Sequence, residues 1–134
     1  MTSPAASATS WYSASSPLKV YESGVTQGQA YGKFFIENGS YTRNDSYQYD
    51  VRPGGDPVYV RTQWKYTWSL LNDLWINDDV RSTKRTSTAK WEFSYVHDAI
   101  RWDRDATRLI SKVCEDQTFS GDPCSVETGV TINY

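Results

Sequence analysis

The stretch VYVRTQWKYTW, residues 58–68, alternates without a break. Val58, Val60, Thr62, Trp64, Tyr66 and Trp68 share one parity, and Tyr59, Arg61, Gln63, Lys65 and Thr67 the other. A helix would scatter these residues around its axis, whereas a pleated strand sends them to two faces. One face is rich in apolar side chains and the other is largely polar, the pattern of a half-buried antiparallel strand. This segment decides the fold class.

Working outward, the same period recurs. Leu18 and Val20 alternate with Lys19 and Tyr21; Ala30, Gly32, Phe34 and Ile36 alternate with Tyr31, Lys33, Phe35 and Glu37. Gly28 and Gly32 imply a bulge or a close backbone approach. Asn38-Gly39 is a hairpin turn signal, after which Tyr47, Tyr49 and Val51 share a face as far as the turn at 53–56. Ala89, Trp91, Phe93 and Tyr95 form a further alternation that continues through Ile100 and Trp102. Ala106 to Cys114 and Val126 to Tyr134 complete the series, with Thr128, Val130, Ile132 and Tyr134 on one face. Residues 69–80 fit a single helical turn or a short strand, and a connection with one short helix is the favoured reading. Seven to eight strands with frequent turns predict an all-β protein, an antiparallel β-sandwich spanning 18–134. Trp64, Tyr66 and Trp68 are expected in its core with Trp91, Phe93 and Tyr95 as the facing layer; Tyr21, Tyr31, Phe35 and Tyr59 are expected on opposite parity and outside.

Composition agrees. Aromatics make up 15% of the 134 residues, with ten Tyr and six Trp against one Met, a balance suited to pleated surfaces. The net charge of −2 lacks the basic field that sequence-independent nucleic-acid binding needs. No apolar run approaches the ~20 residues of a membrane-spanning helix.

Residues 1–17 are rich in Ser and Ala and predict a flexible N-terminal arm. Ala6-Ser7-Ala8 has the form of a signal-peptidase site, so the chain reads as a secreted protein. Trp11 and Tyr12 interrupt the arm and are candidate partner-binding anchors; the other expectation for Trp11 is that it packs on its own domain as a first strand. Cys114 and Cys124 flank a polar loop able to close as a disulfide, which belongs to an oxidising compartment. Asn38-Gly39-Ser40 and Asn44-Asp45-Ser46 are formal glycosylation sequons.

Little in the sequence asks for chemistry. His97 is the single histidine, with Asp98 beside it, and no G-x-S-x-G elbow accompanies them. The glutamates are scattered rather than paired as a glycosidase requires. Asp73, Asn77, Asp78 and Asp79, and Asp98, Asp103 and Asp105, form two acidic loops without calcium-loop spacing. No catalytic residue, cofactor or metal site is expected. Arg81, Lys84 and Arg85 read as a solvated loop balanced by these acids. Exposed Tyr and Trp suit either a protein interface or sugar stacking.

The Ser/Ala arm, the strand QAYGKFF (29–35), the segment DPVYVRTQWKYTW (56–68) and the late loop between Cys114 and Cys124 together resemble small secreted all-β proteins of actinobacteria. Within that group the chain is similar to the adaptor subunits of umbrella-shaped secreted toxin particles. The resemblance implies a non-catalytic adaptor that joins a lectin arm to a toxin-bearing scaffold, with the N-terminal segment docked in its partner. A secreted protein is thus the expected partner, and a carbohydrate-binding, lectin-like module the alternative.

Overall fold

The structure is a computed structural model that describes residues 8–68, 74–117 and 121–133. Nine strands form two antiparallel sheets, and no helix occurs among the described residues. They are β1 (Thr9–Trp11), β2 (Leu18–Glu22), β3 (Val25–Glu37), β4 (Tyr41–Asp50), β5 (Val58–Thr67), β6 (Ile76–Ser82), β7 (Glu92–Ala99), β8 (Ala106–Glu115) and β9 (Thr128–Asn133). One sheet has the order β1-β3-β4-β7, with β2 also paired to β3; the other is β6-β5-β8-β9. The expected sandwich is present.

The long strand behaves as its alternation requires. Val58, Val60, Thr62 and Trp64 are buried between the sheets, where they meet Val20, Ala30, Phe34, Leu109 and Val113. Val130 and Ile132 pack against this core from β9. Gly28 and Gly32 mark close approaches: a Cβ on Gly28 would lie 2.5 Å from Val58 Cγ2 in the other sheet. Asn38 and Gly39 turn between β3 and β4 with φ of 51° and 68°, the left-handed region that this pair tolerates. Cys114 and Cys124 form a disulfide. It fastens the segment after the late loop to β8, where Glu115 N donates to Pro123 O and Ser125 N to Val113 O.

Two expectations about elements are corrected. Residues 76–82 are a strand, not a short helix, because β5 has a free edge there and pairs with them from Arg61 to Tyr66. Residues 69–73 lie outside the described residues. The arm is also shorter than 1–17. Thr9, Ser10 and Trp11 pair antiparallel with Phe34, Lys33 and Gly32, and β2 continues along the same edge of β3 from Ala30 to Val25. The two strands thus make one edge broken by residues 12–17, where Ser13 and Ser16 exchange backbone hydrogen bonds. Residues 1–7 of the expected arm lie outside the described residues.

The interior is unusually polar for so aromatic a chain. Thr42, Asn44, Ser46, Gln48 and Asp50 are all buried on the inward face of β4. Gln48 Nε2 donates to Thr86 Oγ1 at 2.8 Å and to the carbonyl of Lys84 at 3.1 Å. Trp64 Nε1 donates to Thr42 Oγ1 at 2.8 Å. Hydrogen bonds of this kind offset the cost of taking polar groups out of water.

Candidate functional site

With polar residues turned inward on β4, its aromatics turn outward. The even-numbered residues of β3, β4 and β7 face the core, and the odd-numbered ones form the outer face of the five-stranded sheet. That face carries Tyr31 from β3, Tyr41, Tyr47 and Tyr49 from β4, and Phe93, Tyr95 and His97 from β7. Trp91 joins them just before β7. Register brings them into contact: Tyr31 is paired with Tyr47, Tyr47 with Phe93, and Arg43 with His97.

The result is a continuous run of ring contacts across three strands. Tyr31 stacks on Tyr47 at 5.1 Å, and Tyr47 meets Phe93 edge-to-face at 5.4 Å. Phe93 touches Tyr95, Tyr95 touches His97, and His97 stacks on Tyr41 at 4.4 Å. Trp91 closes one end by packing edge-on against both Tyr31 and Tyr49. Phe93 and Tyr95 remain 46% exposed, and Tyr41 and Tyr47 38%. These residues are a surface, not a core layer.

Arg43 organises the middle of the face. Its guanidinium lies 3.8 Å over the Tyr95 ring and 5.5 Å from Phe35. Its Nη1 donates to Glu37 Oε2 at 2.6 Å and its Nε to Asp45 Oδ1 at 2.5 Å. His97 Nδ1 sits 2.7 Å from Glu37 Oε1. This hydrogen bond from His97, with help from Arg43, holds the Glu37 carboxyl below its ordinary range against the opposing effect of burial. The charges are satisfied locally, so the face is polar at fixed points and apolar between them.

Ring orientation decides what such a surface can bind. Parallel rings whose centroids are 5.1 Å apart are too close to lie side by side in one plane. Tyr31 and Tyr47 therefore form an offset stack, each covering part of one face of the other. Tyr41 and His97 do the same, and Arg43 covers a face of Tyr95. Sugar stacking draws on open ring faces, whereas protein interfaces also use ring edges and tyrosine hydroxyls.

The residues singled out from sequence are dispersed by the structure. Trp11 is corrected as an anchor for a partner: it is 3% exposed, stacks near Phe34, and donates from Nε1 to Asn44 Oδ1 at 2.8 Å. Its large apolar surface and single donor are both satisfied inside its own domain. Tyr12, the next residue, has φ of 57° and is 45% exposed. It lines a depression of about 340 Å³ with Tyr31, Lys33 and Tyr47, and so extends the aromatic face toward the N-terminus.

Other expectations are corrected too. Trp91, Phe93 and Tyr95 are not the inward layer, because Val96 and Asp98 occupy the buried parity of β7. Tyr66 and Trp68 are half-buried rather than core, stacked on each other beneath Arg104. Tyr59 is only 6% exposed; Arg85 covers its ring and its hydroxyl donates to Asp122 at 2.5 Å. Burial, with that bond, pushes its phenol up to about 12. His97 and Asp98 point to opposite faces, so Asp98 does not orient the imidazole. Asp78 pairs with Arg101, Asp79 and Asp98 with Arg81, and Asp103 with Arg104, so ion pairs take up these four carboxylates; Asp73 lies outside the described residues. Of the sequons, Asn38 is exposed in its turn and Asn44 is fully buried.

The sequence signal for the aromatic face was present in YTRNDSYQYD, where odd positions are aromatic or charged and even ones small and polar. Its parity was legible. Which parity faced outward was not. The chain matches no family model, no curated protein and no solved structure.

Proposed function

We propose that this protein is a non-catalytic binding module whose ligand is another protein, engaged through the outer face of the five-stranded sheet. The observation that carries this reading is the unbroken array from Tyr31 to Tyr41 on three rigid strands, pinned by Arg43. Tyr, Trp and Arg are the residue types that dominate binding energy at protein interfaces. Rings already packed on one another lose little conformational freedom when a partner arrives. The partner this face suits offers apolar side chains between rings and backbone carbonyls or carboxylates to the Tyr31, Tyr41 and Tyr47 hydroxyls.

An adaptor in a secreted assembly fits this chemistry. The disulfide suits an oxidising compartment. The resemblance to toxin-particle adaptors suggests a place between two larger proteins. In this proposal the sheet face, with Tyr12 at its margin, takes the role that the sequence assigned to a free arm.

The test is a Tyr31→Ser/Tyr47→Ser double variant. Both side chains lie outside the core, so the thermal midpoint should stay within a few degrees of the parent. A protein captured from the native secretome by the parent would be identified by mass spectrometry, purified and titrated against both forms. Affinity should fall at least about tenfold in the variant, the scale of losing an interface anchor. Binding of the parent to a glycan array, lost in the variant, would replace this reading with the carbohydrate one.

A further inference from the structure

The reading of this chain as a protein-binding module leaves open how a partner is held, and β7 supplies an answer. Among the described residues it is an edge strand, paired on one side only, to β4. The other edges are interrupted or short: β1 and β2 are split by residues 12–17, β6 pairs through a register shift, and β9 has six residues. β7 runs for eight residues in unshifted register, and contains neither proline nor lysine to blunt pairing.

The phase of its hydrogen bonds follows from one contact. Ile100 N donates to Ser40 O, so residues 100 and 40 form a hydrogen-bonded pair. Antiparallel ladders alternate, so the even residues of β7 bond to β4 while Phe93, Tyr95 and His97 turn their N–H and C=O groups to the open side. Alongside that edge lies a groove of about 770 Å³, bounded by Arg81, Ser82 and Lys84 on one wall and residues 93–97 on the other. Among the described residues no carboxylate lines it. Arg81 is shared between Asp79 and Asp98, but Lys84 makes no ion pair among the described residues.

We propose that the partner adds an extended segment to the free edge of β7, and that this segment alternates apolar and acidic side chains. Strand addition would use the outward backbone groups of Phe93, Tyr95 and His97 for register. One parity of the added strand would then extend the aromatic face beside Phe93 and Tyr95. The other parity would enter the groove, where Arg81 and Lys84 favour carboxylates and oppose cations.

The probe is a synthetic peptide alternating valine with glutamate, compared with one alternating valine with lysine. Amide hydrogen exchange should show protection of Phe93, Tyr95 and His97 by the glutamate peptide alone. Lys84→Glu should weaken its binding by about tenfold, as expected for reversing a charge at an interface. Phe93→Pro removes one outward N–H and leaves the β4 ladder whole; because it also removes a ring of the aromatic face, it is read against Phe93→Ala, which keeps the N–H. The proline variant should abolish peptide binding while the alanine variant retains it. Equal binding of the two peptides, or binding unaffected by Lys84→Glu or by Phe93→Pro, would overturn the proposal. So would protection of these amides in the protein alone with dimer formation, which would make a second copy the occupant. The natural partner separates the two readings: if Phe93→Pro and Lys84→Glu retain it while Tyr31→Ser/Tyr47→Ser loses it, the module stands and strand addition falls.

Discussion

Asn44 occupies an inward strand position that an aliphatic side chain would ordinarily fill, and it does so with every hydrogen-bonding atom engaged. Its Oδ1 accepts from Trp11, and its Nδ2 donates to Thr62 Oγ1 at 3.0 Å and Ser111 Oγ at 2.9 Å. One amide thereby joins β1, β4, β5 and β8 across both sheets, and a slipped register would leave several buried groups unpaired. Asp50, on the same face, is the opposite case. Its Oδ1 accepts from Arg52 N, while Oδ2 is buried without a partner among the described residues. Burial therefore pushes its carboxyl above the ordinary range. A group raised in the folded state contributes stability below its unfolded value, and that contribution is lost as pH rises through the folded one. Asp50→Asn should accordingly raise stability at pH 7 by about 1 kcal/mol. The gain should shrink toward zero as pH falls below about 4, where the parent is protonated too. Denaturant midpoints at both pH values test this; a variant less stable than the parent at pH 7 would contradict it.

Among the elements, β1 shows how three residues can be anchored by one side chain. Its strand pairing is short, and Thr9 and Ser10 are exposed; Trp11 supplies the burial. Gly32 makes room for it, since a Cβ there would lie 2.9 Å from Trp11 Cζ2 and closer still to Asp45 O. Deleting residues 2–11 should therefore destabilise the domain by about 3–5 kcal/mol, the usual cost of removing a core tryptophan. A thermal melt unchanged by the deletion would return Trp11 to a detachable arm. The sequence did show Trp11 as a hydrophobe needing a receiver. It did not show the receiver, because Gly32 and Asn44 lie far away in the chain and meet it only through β3 and β4.

At the scale of the whole molecule, two sheets share one core, and the disulfide reinforces the β8 side of it. Replacing Cys114 and Cys124 with Ala should lower stability by about 3 kcal/mol, the loop-closure value for a bridge of this span. Far-UV circular dichroism should stay that of a β-sheet protein, since the strands on either side are held by their own ladders. A shifted guanidinium midpoint with an unchanged spectrum is the expected result, and an unchanged midpoint would show that the bridge constrains nothing. Chain-local chemistry was enough to determine the long strands, though not β1 or β6, together with the Asn38-Gly39 turn, the close approach at Gly28 and the pairing of two cysteines. These follow from periodicity and backbone preference within a few residues. It did not determine which parity of β4 and β7 faces inward. Alternation is symmetric between the two faces, and hydrophobicity favoured burying Phe93 and Tyr95. The tertiary structure chose otherwise because Thr42, Asn44 and Gln48 find partners only between the sheets, from Trp64, Trp11 and Thr86. Once those polar groups were committed to the interior, the period of two carried the aromatic residues of β4 and β7 to the surface.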